Sequence, residues 1–348
     1  MRYKSFLLFL ILLGLFSAGE SRIEGQDESA LRVVVNMVQL NVAVTDKNGS
    51  YITGLRPEDF AITEDGITEK LAAFAQGDEP ARGLLDSPNG PTENAADHST
   101  DHAADEPQTF SSLIAGSNVF ILFDTSNYMY RDFVFAEDSI SEFVRSLESA
   151  DKIAFYSYSR DLSRPVPLTS DRFQVLRGVR STVAGDSAAL YNALLLTVKD
   201  AAQYTGRRMI IVFSNGPDSS SVVPPEDVAE LAQSVGVSVY MVSTQEAKLE
   251  PISTAVFERM TAATGGKAYF AKSWRDERRA FASIQDDLAH LYSLAYYPKA
   301  NPNTGWRAIT VKLVGEKANK YKVRTRNGYR LQTTRFSSGV RAPESKPQ

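Results

Sequence analysis

The chain has 348 residues, with 38 Lys and Arg against 42 Asp and Glu, and it contains no cysteine. The length predicts about two domains, with enough chain for a full-sized hydrophobic core. The absence of cysteine excludes disulfides, thiolate zinc sites, iron–sulfur clusters and cysteine nucleophiles. A formal net charge of -4 lacks the basic excess of a nucleic-acid-binding surface, so no nucleic-acid partner is predicted.

The first 19 residues have the three-part pattern of a secretory signal peptide. Residues 1–4 give a short positive start, residues 6–16 form an almost unbroken apolar run, and small residues follow at 17–19. This pattern predicts a signal peptide at 1–19 and an exported protein, either periplasmic or secreted. An uncleaved N-terminal anchor is the alternative. No later stretch is apolar enough to predict a transmembrane segment in the mature chain.

Residues 30–77 are predicted to form a small β module. Apolar residues alternate with others over 38–44, as in a half-buried strand. A strand over 60–64, a turn at Asp65-Gly66 and a return strand over 67–74 form a predicted hairpin. A module of about 45 residues buries little on its own, so we expect it to pack against another part of the chain.

Residues 78–115 differ in composition from the segments on either side. Gly, Pro, Asn, Ser, Asp and Ala dominate, several acids are present, and Arg82 is the only Lys or Arg. This composition predicts an acidic, flexible linker. His98 and His102 have the spacing of a metal-binding pair on a helix, but in such a segment we interpret them as solvated residues.

Residues 116–291 alternate between apolar strands and helical patterns. This alternation is typical of a mostly parallel sheet with helices on both faces. One helix is expected to begin at Ser187, which would serve as its N-cap. The predicted strands cover 118–123, 152–157, 208–214, 237–242 and 267–271, and the predicted helices cover 133–147, 187–202, 227–235, 255–263 and 275–291.

Residues 292–335 return to a pattern of short strands, over 307–314, 322–325 and 329–332. Neither terminal β segment carries enough core alone. We therefore expect the C-terminal strands to pack with the N-terminal module, with the α/β domain inserted between them. Two independent small β units are the alternative. Residues 336–348 are expected to form a polar tail.

Oxygen-bearing side chains gather in three loops that the predicted topology brings to one edge of the sheet. Ligands bind at the carboxyl ends of the strands in open α/β sheets. Oxygen ligands on loops suit a hard cation such as Mg²⁺. The candidate residues are Asp124 and Ser126 after the first strand, Asp186 and Ser187 before a helix, and Asn215 and Asp218 after the third strand.

Short segments spread over nearly the whole mature chain occur together in one known group. In order they are Val42-Ala43-Val44-Thr45-Asp46, Gly54-Leu55, Asp59-Phe60, Glu64-Asp65-Gly66, Thr264-Gly265-Gly266-Lys267-Ala268-Tyr269-Phe270, Tyr296-Tyr297-Pro298 and Arg324-Thr325-Arg326-Asn327-Gly328-Tyr329. With this order and spacing the chain resembles von Willebrand factor A (VWA) domain proteins, in the form of exported acidobacterial VWFA-related proteins. The resemblance implies an α/β, Rossmann-like, mostly parallel sheet with helices on both faces, plus a β module built from terminal strands.

The resemblance also implies a metal-ion-dependent adhesion site. In VWA domains this site holds a divalent cation, usually Mg²⁺, through Asp-x-Ser-x-Ser, a Thr on a following loop and an Asp after a later strand. Asp124 and Ser126 match this pattern. Tyr128 replaces the second Ser, and Asn215 replaces the second Asp.

The Thr position is ambiguous. Ala188 occupies it, and the hydroxyl of Ser187 lies one residue early. Asp186 and Asp218 lie beside matched positions and would restore charge. The site is therefore degenerate, and both weak Mg²⁺ binding and a metal-free edge stay open.

These observations predict an exported, non-enzymatic protein that grips a protein partner at the strand-end edge around Asp124, with or without a weak divalent cation. The alternative is a structural subunit of an envelope complex with an inactive metal site. A hydrolase acting outside the cytoplasm is a remote alternative. The sequence has neither a Gly-x-Ser-x-Gly elbow nor His-Glu-x-x-His, and His290, near a helix end, is interpreted as structural, which leaves no base for a serine triad.

Overall fold

The computed structural model describes residues 37–84, 116–130, 133–147, 150–243, 249–271 and 273–331. All of these residues belong to one compact unit, Asn36–Gln348. The predicted signal peptide, the predicted tail and most of the predicted linker lie outside the described residues.

The described residues contain fifteen strands and six α-helices. The strands are β1 (Val38–Thr45), β2 (Phe60–Glu64), β3 (Ile67–Glu69), β4 (Leu71–Gln76), β5 (Arg82–Gly83), β6 (Ser117–Asp124), β7 (Lys152–Tyr158), β8 (Leu162–Thr169), β9 (Arg207–Phe213), β10 (Val237–Ser243), β11 (Ala268–Phe270), β12 (Tyr292–Tyr296), β13 (Trp306–Leu313), β14 (Lys322–Arg324) and β15 (Gly328–Arg330). The helices are α1 (Phe133–Ser146), α2 (Arg172–Arg180), α3 (Leu190–Ala201), α4 (Pro225–Val235), α5 (Pro251–Thr264) and α6 (Trp274–His290).

A six-stranded sheet lies at the centre, in the order β11-β10-β9-β6-β7-β8. All neighbouring pairs are parallel except β7 and β8. Every residue of β6 is buried, because helices cover both faces of the sheet. Val119, Ile121 and Phe123 pack with α1, α2 and α6, whereas Phe120 and Leu122 pack with α3, α4 and α5. The predicted α/β class is confirmed.

The N- and C-terminal strands pair with each other in two further sheets. β1 pairs antiparallel with β12, from Val38 opposite Tyr296 to Val42 opposite Tyr292, and β2 pairs antiparallel with β13. Their buried side chains form one shared cluster. Antiparallel sheets built from both ends of the chain, as predicted, are thus confirmed.

Several local predictions are wrong. The predicted return strand over 67–74 divides at Lys70: β3 pairs with β2, but β4 leaves that sheet and pairs with β12. The predicted linker began at 78, yet Arg82–Gly83 form β5 against β4. The third helix starts at Leu190 rather than at Ser187, and its N-cap residue, Ala189, supplies no side-chain hydrogen bond. β8 and α2 were not predicted at all.

A buried polar joint connects the α/β domain to the terminal strands. Asp287 of α6 is fully buried and accepts hydrogen bonds from the Tyr51 hydroxyl and the Arg324 guanidinium. The ammonium of Lys267 lies 3.8 Å from the same carboxylate. We refer to Tyr51, Lys267, Asp287 and Arg324 as the joint. It ties a loop of the N-terminal segment and a C-terminal strand to one helix of the domain.

Candidate functional site at the rim of the sheet

The carboxyl ends of the parallel strands and the loops that follow them form the rim of the central sheet. Two of these loops lie against each other above β6: the Asn127 N–H donates to the Asp186 carbonyl at 2.9 Å, and the Gly185 N–H donates to the Thr125 carbonyl at 2.7 Å. A Cβ on Gly185 would overlap the side chain of Ser159. Glycine at this position therefore allows the loop to approach the loop after β7 closely.

The loop after β9 packs beside these two loops above the end of β6. The Ala188 carbonyl accepts from the N–H groups of Ser219 and Ser220, both at 2.9 Å. Gly216 has a φ of +115°, which favours glycine, and a Cβ there would overlap Ser253 at the start of α5. The rim loops therefore form a continuous layer over the end of β6.

Asp124 lies beneath this layer and is fully buried. Its Oδ1 accepts from the Ser126 N–H at 2.9 Å, and its Oδ2 accepts from the Ser214 hydroxyl at 2.7 Å. Burial raises the pKa of the Asp124 carboxyl, because desolvation disfavours the charged form. The nearby hydroxyls of Ser126 and Tyr158 are close enough to oppose that shift of the Asp124 pKa, but neither reaches full hydrogen-bond geometry, and both are buried without a partner.

The remaining predicted site residues are divided between the layer and the surface. Asn215 is buried, and its amide Nδ2 donates to the Tyr128 carbonyl at 3.3 Å. Asp186 is exposed, with its carboxylate 3.1 Å from the Tyr130 hydroxyl. Ser187 is half-buried in the same loop. The predicted residues thus share one rim, at different depths.

Asp218 stabilises both the start of α3 and the loop after β9. Its Oδ2 accepts from the Tyr191 N–H at 3.1 Å and from the Ser221 hydroxyl at 2.6 Å, and its Oδ1 accepts from the N–H groups of Ser220 and Ser221. Tyr191 lies in the first turn of α3. Asp218 therefore caps α3 from a different loop, which explains why the helix needs no cap of its own.

The donor set does not fit a directly coordinated Mg²⁺. Mg²⁺ requires near-octahedral oxygen ligands and usually one or two carboxylates. The Ser126 hydroxyl is buried and unpartnered, which suits a ligand. Asp124, however, is the one carboxylate at the matched positions and is fully buried beneath the rim loops, and the Ala188 side chain has no oxygen. Within the described residues, no three His, Asp or Glu side chains are grouped as a metal site.

A comparison with protein families identifies the part of the chain that holds the central sheet and its helices. The von Willebrand factor type A domain family matches residues 118–286. These residues form a VWA domain. The recognition made from the sequence is confirmed at this level, whereas the acidobacterial type and the degenerate metal site stay predictions. VWA domains often bind Mg²⁺ at the rim and generally serve as interaction modules. No curated protein matches the chain.

Solved structures similar to this chain include two from Bacteroides species and one from Catenulispora acidiphila. The protein BatB of Bacteroides thetaiotaomicron is 18% identical, with a TM-score of 0.41, over 49% of this chain and 98% of that one. An aerotolerance-related membrane protein of Bacteroides fragilis is 18% identical, with a TM-score of 0.43 and the same coverage. A von Willebrand factor type A protein of Catenulispora acidiphila is 12% identical, with a TM-score of 0.42, over 60% and 64% of the two chains.

The rim of the VWA domain also carries exposed apolar side chains that sequence analysis missed. Val222 is 88% exposed, Val183 78% and Tyr130 51%. The signal in the sequence was apolar residues in the rim loops and in the first turns of the helices after them. We refer to eight of these exposed residues as the rim patch: Tyr128, Tyr130, Val134, Phe135, Val183, Val222, Leu249 and Ile252.

His290 is the one histidine in the described part of the chain, and it lies far from the rim. It ends α6, and its ring stacks on Tyr51 at 5.3 Å. The neighbouring Leu288 carbonyl accepts from Arg207, the first residue of β9, which places this helix end at the opposite end of the sheet. Within the described residues, no helix has the length and hydropathy to cross a bilayer.

Proposed function

We propose that this protein is exported and binds a protein partner at the rim of its VWA domain without catalysing a reaction. The export step rests on the signal-peptide pattern at 1–19. The binding step rests on the rim patch and on the general role of VWA domains as interaction modules. The sequence is compatible with a weak Mg²⁺ at Asp124. The full burial of that carboxyl beneath the rim loops favours a partner bound without a cation.

The distribution of exposed apolar side chains carries this proposal. Soluble proteins rarely expose large apolar side chains in one region unless that region binds something. Most of the large apolar side chains that are exposed in the described residues belong to the rim patch. Backbone hydrogen bonds join the three loops that bear Tyr128, Val183 and Val222, which gives this part of the patch a fixed base. Such preorganisation lowers the entropic cost of binding.

The chemistry of the rim favours binding over catalysis. A general base has to reach a substrate atom. The Asp124 carboxyl is covered by the rim loops, and Asp218 is occupied by four donors. His290 lies at the other end of the sheet. Asp124 and Asp218 are therefore committed to the fold rather than placed to act on a substrate.

Site-specific photo-crosslinking in the cells that make the protein tests the proposal. A photoreactive residue would replace Val222 on the rim or Phe173, which is 78% exposed at the opposite end of the domain. We expect one discrete protein adduct from position 222 in the exported fraction and none from position 173. Equal adducts at both positions, no adduct at 222, or retention of the chain in the cytoplasm would contradict it.

The full burial of Asp124 favours one alternative, a structural subunit of an envelope complex with an inactive metal site. This alternative places the contact with the complex away from the rim. It predicts that Val222→Asp leaves assembly into the complex unchanged. The proposed function predicts that the same substitution abolishes the crosslinked adduct formed from position 183, which also belongs to the rim patch.

A further inference from the structure

The layer over Asp124 separates this carboxyl from any molecule that binds at the rim. Asp124 and Ser126 are fully buried, and Asn215 is 2% exposed. The loops above them are joined by the bonds from Asn127 to Asp186 and from Gly185 to Thr125. A partner's side chain therefore meets the outer surface of these loops and not the Asp124 carboxyl.

Acidic side chains outnumber basic ones on the outer surface of the described rim loops. Within the described rim loops, Asp186 and Asp161 are exposed and Glu250 is half-buried, whereas Arg160 is exposed beside Asp161. An acidic partner would be repelled by Asp186, because like charges at an interface cost free energy. Basic side chains would be attracted.

We infer that the rim patch binds an apolar segment of a partner protein, flanked by Lys or Arg, through direct contacts and without a bridging cation. The inference rests on the proposed function and names the chemistry of its partner. The apolar side chains of the partner cover Tyr130, Val183 and Val222, and its basic side chains face Asp186. Asp124 is a positioning residue, since it fixes the loops from below through Ser126 and Ser214.

Selection of short peptides from a random displayed library on the mature full chain tests this inference. The selection is run in parallel in excess EDTA and in excess Mg²⁺. We expect both selections to enrich peptides with aromatic or aliphatic residues next to Lys or Arg and with few Asp or Glu. The dissociation constant of an enriched synthetic peptide should agree within about twofold between EDTA and Mg²⁺, because no cation takes part.

Matched variants locate the binding surface. Val183→Asp combined with Val222→Asp should weaken peptide binding by about tenfold or more, since a charge in an apolar contact is costly. Phe173→Asp changes an equally exposed side chain elsewhere and should leave the dissociation constant within about twofold. Leu249→Asp with Ile252→Asp provides a second rim pair. Circular dichroism confirms that each variant is folded.

The other outcomes separate the two proposals. Enrichment of Asp- or Glu-containing peptides, or binding that EDTA abolishes and the rim variants weaken, would overturn the inference and leave rim binding intact. If both double variants of the rim left the dissociation constant of the enriched peptides unchanged, the proposed function and the inference would both be overturned. The absence of any enriched peptide would have the same consequence.

Discussion

At the residue scale, the surroundings of Asp124 favour the protonated form of its carboxyl. Burial raises its pKa above that of an unfolded aspartate, which is about 3.9. The folded state thus holds the proton more tightly. Its contribution to the free energy of unfolding is complete below the unfolded pKa and falls by about 1.4 kcal/mol per pH unit as the pH rises towards the folded pKa.

The variant Asp124→Asn lacks this titration and keeps an oxygen for the Ser126 N–H. We expect the free energy of unfolding of the variant, relative to the native chain, to increase as the pH rises above about 4. Urea denaturation at a series of pH values measures the difference. Asp161→Asn, which removes an exposed carboxylate, is the control. Parallel behaviour of the two variants would show that Asp124 is not held as a buried acid.

A few side chains determine whether the site at the rim binds Mg²⁺. Because Tyr128, Ala188 and Asn215 replace the Ser, Thr and Asp that the VWA resemblance implies, we expect the melting temperature of the native chain to be the same in Mg²⁺ and in EDTA. The combined variant Tyr128→Ser, Ala188→Thr, Asn215→Asp restores the residues that the VWA resemblance implies. At about 100 times its dissociation constant, Mg²⁺ would stabilise that variant by about 2.7 kcal/mol, a shift of a few degrees. A Mg²⁺ shift in the native chain that Asp124→Asn removes would refute this reading.

At the element scale, α3 depends on a cap supplied by another loop. Asp218 binds the Tyr191 N–H in the first turn of the helix and also orders residues 219–221. Asp218→Ala should lower the free energy of unfolding by about 1–2 kcal/mol, the cost of losing a helix cap. Asp218→Asn keeps an acceptor oxygen and should cost less. Thermal or urea unfolding measures both, and equal losses for Ala and Asn would show that the capping bond is not the cause.

The elements that sequence analysis missed lack the usual patterns. β8 is an edge strand that contains Pro165 and Pro167, and only Val166 is buried within it. Proline is tolerated there because one edge of the strand needs no ladder hydrogen bonds. α2 is a nine-residue helix that exposes Phe173 in its first turn, which obscures its apolar face. The long apolar strands β6, β9 and β10 were predictable because both of their faces are buried.

At the scale of the whole molecule, the topology was more predictable than the contacts. Short terminal strands with too little core predicted that both chain ends pack together, and β1 with β12 and β2 with β13 confirm it. Asp124, Ser126 and Asn215 were also expected at one rim because parallel strands end together. Hydrogen-bond partners were not predictable. The Ser214 hydroxyl donates to Asp124, and Asp218 caps α3, only because folding brings together loops that are distant in the sequence.

The joint shows how the terminal strands and the VWA domain depend on each other. The Asp287 carboxylate is fully buried and faces Arg324 from β14 and Lys267 from the segment before β11. Removal of one member of a buried ion pair leaves an uncompensated charge, at a cost of about 3–5 kcal/mol. Without that carboxylate, the guanidinium of Arg324 would stay buried without its ion-pair partner. This loss would weaken the contact between the terminal strands and the VWA domain.

We therefore expect Asp287→Ala to lower the free energy of unfolding by about 3–5 kcal/mol, and to separate the unfolding of the terminal strands from that of the VWA domain. Scanning calorimetry should show one transition for the native chain and an earlier, second transition for the variant. Asp286→Ala removes the adjacent, exposed carboxylate of the same helix and should change the free energy of unfolding by about 0.5 kcal/mol or less. If the two variants unfolded alike, in one transition, the joint would not couple the two parts; their cooperation would then come from the apolar cluster shared by β1, β2, β12 and β13.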